Sequence, residues 1–288
     1  MTPYGSTVQR LSVFHRGALG DSVLTWPLMR AAMKRGFVVT FVSDDSKARL
    51  AQLALNVHGL NAEQRRFNSL WLPDAPIEPD ARVDRVVSFV GTSAADLVWR
   101  RNASRAFPNA LIDIVHDQLD RNVALKLADG TSGIETRVAF DSATVVCHVG
   151  TGGGGKCWDL SRWSKTVRTL RNDGLEVRVI AGEVEAERFS HAQRGLFLEM
   201  NGTYLTNIDQ LYVTLRDARC VIAADSGPGH LAAQLGATVL SLFGPTDPKR
   251  WAPIGPDVHV LAPSSPSNMT WLEPERVIAE FNRVIVLK

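Results

Sequence analysis

The fold is decided by the stretch Ala224-Asp225-Ser226-Gly227-Pro228-Gly229-His230-Leu231-Ala232-Ala233, which continues the apolar segment Cys220–Ala224. An apolar segment, a tight Gly/Pro turn and an Ala/Leu-rich segment are typical of a strand, a turn and a helix. The first N–H groups of a helix lack partners within it, and the helix dipole adds positive charge there. We therefore expect this turn to bind an anion such as a phosphate. The alternative is an ordinary strand–turn–helix whose glycines serve geometry alone.

A second glycine-rich turn, Gly150-Thr151-Gly152-Gly153-Gly154-Gly155-Lys156, follows the apolar segment Val145–Val149. A helix-like segment, Leu160–Arg171, comes after it, and Ser161 is predicted to cap that helix. A glycine run of this kind is often a flexible linker. Lys156 at its end favours a binding loop instead, because an ammonium group contacts phosphate as a compact point charge. Two such turns in one half of the chain predict a nucleotide-diphosphate ligand.

A third turn, Arg16-Gly17-Ala18-Leu19-Gly20-Asp21, follows the predicted first strand, Leu11–His15. We predict that the next regular helix begins near Thr25, with Pro27 in its first turn, where a missing N–H costs little. Asp21 then lies on the turn at the carboxyl end of a strand, the edge at which ligands bind in open α/β sheets. The alternative is that Asp21 caps its own turn, as aspartate commonly does.

Strand-like and helix-like segments alternate along the chain, which predicts an α/β protein with parallel sheets. The strand-like segments are Leu11–His15, Val38–Ser43, Val83–Val90, Val145–Val149, Val177–Ala181, Cys220–Ala224, Thr238–Phe243 and Val258–Leu261. The helix-like segments are Pro27–Lys34, Lys47–Asn56, Asp117–Leu127, Arg162–Arg171, Glu183–Gln193, Ile208–Arg216, Pro228–Leu235 and Pro274–Val284. A break at Asp129–Asp141 predicts an N-terminal domain of residues 1–135, a C-terminal domain of residues 136–265 and a terminal helical segment of residues 266–288.

The composition describes a soluble globular protein, since 45% of the 288 residues are hydrophobic and 22% are charged. A net charge of +2 argues against a nucleic-acid-binding surface, and no apolar run approaches the roughly 20 residues that span a bilayer. Met1–Arg10 lacks the apolar core of a signal peptide. Three widely spaced cysteines indicate a reducing compartment. We therefore expect a cytoplasmic protein without a nucleic-acid partner.

Taken in order, the three turns resemble those of glycosyltransferase family 9, which includes the ADP-heptose:lipopolysaccharide heptosyltransferases. Arg16–Asp21 matches the family's N-terminal turn, and His148–Trp158 matches its middle segment, with a slightly longer glycine run. Asp225–Ala233 and Leu242–Pro248 match its two C-terminal segments. Residues 46–141 resemble the family less and look shorter, and in family members this half holds the acceptor.

The resemblance implies a GT-B fold, with two Rossmann-like domains whose parallel sheets face each other across a cleft. In this fold the terminal helix of residues 266–288 is expected to pack back on the N-terminal domain. It also implies inverting transfer of a sugar, heptose by preference, from an ADP-sugar to a hydroxyl acceptor without a metal or other cofactor, and the chain contains no Asp-x-Asp triplet. Asp21 would be the general base, Lys156 would stabilise the leaving group, and Gly17, Ala18, Leu19 and Gly20 would form the acceptor-side loop. The implied donor-binding residues are Thr151, Gly152, Gly153, Gly154, Gly155, Glu185, Asp225, Ser226, Gly227, Pro228, Gly229, His230 and Thr246.

Several alternatives stay open from the sequence. Glu185 matches the family position that holds the nucleotide ribose, but Glu183 and Glu187 are close competitors. Asp225 either organises its turn or contacts the ligand, and His230 is either a phosphate contact or structural. The expected acceptor is a glycan, a lipid-linked sugar or another hydroxyl compound. Peripheral association of the protein with the cytoplasmic face of the inner membrane is a further expectation. The competing functions are a nucleotide-sugar-binding protein without transferase activity and another GT-B enzyme, such as an epimerase.

Overall fold

The computed structural model describes residues 8–90, 95–115, 118–128 and 143–286. The chain forms two compact units, which comprise Met1–Leu119 with Val123–Gly133, and Asp120–Asn122 with Ile134–Lys288. The predicted break at Asp129–Asp141 lies outside the described residues. The predicted domain limits at residues 135 and 265 stay a prediction.

The first unit is built on a five-stranded parallel sheet with the strand order β3-β2-β1-β4-β5. The chain first builds outward from β1 on one side and then returns to add β4 and β5 on the other, so its direction reverses between β1 and β4. The strands are β1 (Arg10–Phe14), β2 (Val38–Ser43), β3 (His58–Asn61), β4 (Arg85–Ser88) and β5 (Leu111–Ile114).

Helices cover the first sheet and complete its core. Phe14 from β1 makes edge-to-face contacts with Phe67 and Trp99, at ring-centroid distances of 5.7 and 5.5 Å, and such contacts add to the free energy of burying large rings. The helices of this part of the chain are α1 (Leu19–Leu24), α2 (Trp26–Lys34), α3 (Asp45–Leu55), α4 (Arg65–Asn68), α5 (Ala95–Ala106) and α6 (Arg121–Leu127), of which Arg121 and Asn122 belong to the second unit.

The second unit contains a six-stranded parallel sheet with the order β11-β10-β9-β6-β7-β8. The direction of building reverses between β6 and β9, and such a switch point opens a crevice at the carboxyl ends of the strands. The strands are β6 (Val145–His148), β7 (Val177–Ala181), β8 (Gly202–Tyr204), β9 (Cys220–Ala224), β10 (Thr238–Leu242) and β11 (Val258–Leu261).

Helices and buried tryptophans form the core of the second unit. Trp158 packs edge-to-face on Trp163 at 4.9 Å, and its indole N–H donates to the carbonyl of Leu272. The helices are α7 (Leu160–Asn172), α8 (Glu183–Arg188), α9 (His191–Glu199), α10 (Ile208–Arg216), α11 (Gly227–Gln234), α12 (Pro248–Trp251) and α13 (Pro274–Val286). The last of these packs against α7 in the same unit, and its predicted packing on the N-terminal domain stays a prediction. No described helix combines the length and apolarity needed to cross a bilayer.

The structure corrects three local predictions. A helix, α1, begins at Leu19, although the sequence predicted a turn over Arg16–Asp21 and a regular helix only from near Thr25. Pro27 does lie in the first turn of the next helix, α2. The N-cap of α7 is Asp159, whose carboxylate accepts the N–H of Ser161, so the cap predicted at Ser161 was wrong. The eight predicted strands are present, but β3, β5 and β8 were missed. None of their residues is buried, so these short segments lack the continuous apolar run of a buried strand.

A pair of glycine substitutions tests the packing of the second unit. A methyl group on Gly202 would lie 2.4 Å from the ring of Phe197, which is fully buried beside Phe189 and Tyr204. Gly202→Ala should therefore destabilise the protein by about 1–3 kcal/mol. Gly195 lies in α9 with open space around it, so Gly195→Ala should stabilise the protein by roughly 0.5–1 kcal/mol. Urea unfolding of both variants checks this, and a loss of stability in Gly195→Ala or none in Gly202→Ala would contradict the packing.

Candidate functional site

The turn between β9 and α11 lies beside the switch point of the second sheet. Ser226 is the N-cap, in extended backbone conformation, and its carbonyl accepts the N–H of His230 at 3.2 Å. Proline has no N–H, so Gly227 and Gly229 supply the N–H groups of the first turn that have no partner within the helix. The first turn of α11 therefore presents two backbone donors, those of Gly227 and Gly229.

Gly229 lies where α11 packs on β9. A methyl group at this position would lie 3.5 Å from the Cβ atom of Ala223 on β9 and 3.7 Å from the carbonyl oxygen of Ala224. The missing side chain of Gly229 therefore faces the strand, and this position belongs to the packing of α11 on β9.

The glycine run after β6 is an ordered loop. The hydroxyl of Thr151 donates to the carbonyl of Gly153 at 2.7 Å, and the N–H of Lys156 donates to the same carbonyl at 3.1 Å. Gly154–Lys156 forms a short 3-10 helix. Side chains added at Gly152, Gly153 or Gly155 would meet open space, so the backbone of the loop is accessible to a ligand.

Glu185 connects the glycine loop after β6 to the loop after β7. Its two carboxylate oxygens accept the N–H groups of Thr151, at 3.1 Å, and of Gly182, at 3.0 Å. A methyl group on Gly150 would lie 2.3 Å from the Glu185 carboxyl carbon, so only glycine fits there. Glu185 is buried, whereas the competing carboxylates of Glu183 and Glu187 are exposed. The structure thus brings Glu185 alone among the three to the glycine loop.

Asp225 lies at the centre of the site. One oxygen of its buried carboxylate, Oδ2, is 2.8 Å from the ammonium group of Lys156 and accepts the hydroxyl of Thr246 at 2.8 Å. The other oxygen is 4.0 Å from Nε2 of His230. The loops after β6, β9 and β10 therefore meet at one carboxylate. The Lys156 side chain stays 35% exposed, so its ammonium group is open to a ligand.

Two buried histidines lie near the turn after β9: Nε2 of His230 is 4.0 Å from Asp225, and His148 lies beside Ser226. Burial lowers the pKa of His148 to about 4, opposed in part by a hydrogen bond with the backbone of Gly150. Burial likewise lowers the pKa of His230 to about 4; Asp225 opposes that shift, and the cations Lys156 and Arg121 add to it. Both imidazoles are therefore neutral at pH 7. The hydroxyl of Ser226 lies 3.5 Å from Nδ1 of His148, and Nδ1 of His230 has no hydrogen-bond partner among the described residues.

Sequence reasoning missed a group of charged residues beside α12. Asp120 accepts a hydrogen bond from Arg250 at 2.9 Å, and Arg121 donates to the carbonyls of Ala252 and Pro253. The aspartate just before a helix is a recognisable cap signal. The partners, about 130 residues further along the chain, carry no signal in a single sequence.

The N-terminal turn lies in the other unit. Asp21 is partly buried in the first turn of α1, whose N-cap residue is Ala18. The alternative that Asp21 caps its own turn stays a prediction. Gly17 and Ala18 follow the carboxyl end of β1, as predicted, whereas Leu19 and Gly20 of the predicted acceptor-side loop lie in α1. A side chain on Gly17 would lie 2.8 Å from the ring of His15 and 3.3 Å from Oδ2 of Asp21, which restricts this position to glycine.

The structure therefore groups the predicted site residues into two sets. Thr151 with Glu185, and Lys156 with Asp225, His230 and Thr246, lie together in the second unit, whereas Asp21 and its loop lie in the first. The predicted facing of the two sets stays a prediction. Across the described parts of the chain, no three His, Cys, Asp or Glu side chains are grouped so that they could hold a metal ion.

The neutral histidines predict how stability depends on pH. The pKa of His148 is about 4 in the folded protein and 6.5 in the unfolded chain, so the unfolded state binds more protons between these values and stability falls as the pH falls from 6.5 towards 4. At about 1.4 kcal/mol per pKa unit, His148 accounts for on the order of 3 kcal/mol of this loss. His148→Gln should lose correspondingly less stability between pH 7 and 4.5, measured by urea unfolding. Identical pH profiles for the two proteins would contradict the burial of a neutral imidazole.

The family model for glycosyltransferase family 9 (heptosyltransferase) matches residues 101–273. The chain is similar to lipopolysaccharide heptosyltransferase 1 of Pseudomonas aeruginosa, with 29% identity over 204 residues, which cover 64% of this chain and 54% of that protein. The chain thus spans about half the length of this curated relative.

Solved structures share the fold of the chain. The E. coli heptosyltransferase WaaC with ADP has a TM-score of 0.69 at 15% identity, over 96% of this chain and 99% of that chain. The glycosyl transferase family 9 protein from Veillonella parvula has a TM-score of 0.71 at 15% identity, over the full length of both chains. These similarities confirm the predicted GT-B fold class. Because the family model covers more than half of the sequence, the chain belongs to glycosyltransferase family 9.

Proposed function

We propose that the chain is an inverting glycosyltransferase that moves a sugar, heptose by preference, from an ADP-sugar to a hydroxyl acceptor without a metal ion. The observation that carries this proposal is the contact of Lys156 with the buried Asp225 beside an accessible glycine loop. Family membership and the structural similarity to a heptosyltransferase with ADP support it. The name of the curated relative supports a lipopolysaccharide-type acceptor. The predicted cytoplasmic location and association with the inner-membrane face belong to the same proposal.

The donor would bind in the second unit through its pyrophosphate. The ammonium group of Lys156 has three donors, and Asp225 uses one of them, so two stay available for phosphate oxygens. The backbone N–H groups of the glycine loop and of Gly227 and Gly229 would add neutral donors, and the dipole of α11 would add positive charge. The carboxylate of Glu185 has acceptor capacity beyond its two backbone contacts and would accept the ribose hydroxyls of the nucleotide.

Transfer then requires a base for the acceptor. In the proposed step the acceptor hydroxyl gives its proton to Asp21 and its oxygen attacks the anomeric carbon of the donor sugar. The bond from that carbon to the β-phosphate oxygen breaks, and its electron pair leaves with ADP, whose growing charge Lys156 and the backbone donors stabilise. Attack opposite the leaving group inverts the anomeric centre. The neutral imidazoles of His148 and His230 leave the positive charge of the donor site to Lys156 and the backbone.

The base assignment is tested by Asp21→Asn. The variant keeps the size of the side chain but cannot take the proton, so turnover of the ADP-sugar should fall by about 10²–10⁴-fold, while ADP affinity stays near the wild-type value. Asp45→Asn is the matched control, because Asp45 also lies in the first turn of a helix in the same unit. Steady-state turnover and calorimetric ADP binding measure both effects. Full turnover in Asp21→Asn would contradict the assignment of Asp21 as the base. A wild-type protein that binds ADP but transfers no sugar would favour the alternative function, a nucleotide-sugar-binding protein without transferase activity.

The donor assignment is tested by Lys156→Ala. Loss of a charge-assisted contact should weaken ADP binding by about 1.5–3 kcal/mol, measured by calorimetry in buffer with EDTA. Lys165→Ala is the control, since Lys165 is an exposed lysine on the neighbouring helix α7. Unchanged ADP affinity in Lys156→Ala would exclude the loop from donor binding, and loss of wild-type binding in EDTA would contradict the metal-independent mechanism.

A further inference from the structure

Arg121 makes two contacts that reach into the second half of the chain. Its Nη1 donates to the carbonyl of Pro253 at 2.6 Å and to that of Ala252 at 3.4 Å. Burial lowers the pKa of the guanidinium, which still stays protonated at neutral pH. A half-buried cation with main-chain acceptors is costly to replace, because the carbonyls would lose their donor. Arg121 therefore fixes the chain directly after α12.

Asp120 fixes the other part of the same segment. One of its carboxylate oxygens accepts the N–H of Asn122 and caps α6, and the other accepts Nε of Arg250 at 2.9 Å. The side chain of Asp120 is only 8% exposed, so water screens this ion pair less than it screens a surface pair. Two consecutive residues thus hold both α12 and the residues that follow it.

The segment that they hold leads directly to the donor side of the site. Asp247 caps α12 by accepting the N–H of Lys249, and Thr246, one residue earlier, donates to Asp225. The loop 243–247 is anchored at one end by β10 in the sheet and at the other end by α12. The position of the Thr246 hydroxyl therefore depends on what holds α12.

We infer that Asp120 and Arg121 are positioning residues for donor binding, which act by holding α12 so that Thr246 can orient Asp225 and, through it, Lys156. This inference rests on the proposed function for the identity of the ligand. Asp120 and Arg121 lie outside the three turns. A purely structural role would lower stability alone, whereas a positioning role also weakens donor binding. Loosening α12 should move the charges that receive the pyrophosphate rather than only lower stability.

The test compares Arg121→Lys with Arg171→Lys. Arg171 is a matched control because its guanidinium also donates to two carbonyls of the second unit, those of Val177 and Met200, each at 2.9 Å. In Arg121→Lys we expect the KM for the ADP-sugar and the Kd for ADP to rise about fivefold to tenfold with a smaller change in kcat, because the lost contact acts through the loop. In Arg171→Lys we expect a change in stability only.

Hydrogen exchange supplies a readout that needs no ligand. Amides of residues 244–253 should exchange faster in Arg121→Lys than in the wild type or in Arg171→Lys, because the segment opens more often. Should Arg121→Lys fail to fold, Arg250→Lys replaces it, since this side chain is 46% exposed and the variant keeps the charge while losing the Nε contact with Asp120.

The possible results distinguish the positioning role of Asp120 and Arg121 from the proposed ADP-sugar donor. Unchanged exchange at 244–253 together with ADP affinity equal to that of Arg171→Lys would overturn the positioning role. Failure of the wild-type protein to bind ADP would overturn the proposed donor instead, and the exchange measurement would still decide whether Asp120 and Arg121 hold the loop. A non-additive effect of Arg121→Lys and Thr246→Val on ADP affinity would support the route through Thr246, and strictly additive losses would overturn it.

Discussion

The arrangement of the second unit depends on one buried carboxylate, that of Asp225. A buried charge is tolerated only when it is paired and hydrogen-bonded, and Asp225 meets this condition through Lys156 and Thr246. These three residues follow three adjacent strands, since β6, β9 and β10 lie side by side in the sheet. The need to compensate one charge thus fixes three loops relative to each other at the switch point, where α/β proteins bind ligands.

A second carboxylate has the same role on the other side of the glycine loop. Glu185 accepts two backbone N–H groups from two loops, and Gly150 leaves the space that its carboxyl group occupies. The glycine run is therefore held at both ends, by Glu185 near Thr151 and by Asp225 at Lys156. A loop anchored in this way keeps its backbone exposed at little further conformational cost on binding, which is the advantage of a preorganised site.

Neutral histidines complete the electrostatics of this region. Burial keeps His148 and His230 uncharged at pH 7, although Asp225 is 4.0 Å from one of them. The positive side-chain charge beside Asp225 then comes from Lys156. Cations at fixed positions beside backbone donors suit a ligand whose negative charge grows during the reaction, and this is the physical basis of the proposed transferase activity.

The sequence by itself determined the α/β class, eight of the eleven described strands and the three turns at strand ends, because alternating apolar segments and glycine-rich turns are local patterns. It also indicated Lys156, Glu185, Asp225 and Thr246 as members of one site, through the family resemblance, and the structure brings them into two adjoining clusters. Tertiary structure alone decided the partners of Asp120 and Arg121, the early start of α1 at Leu19 and the choice of the buried Glu185 over its exposed neighbours. These features depend on which distant groups lie within hydrogen-bond distance in the folded chain and on which groups are buried. A local sequence pattern predicts neither the distant partners nor the burial.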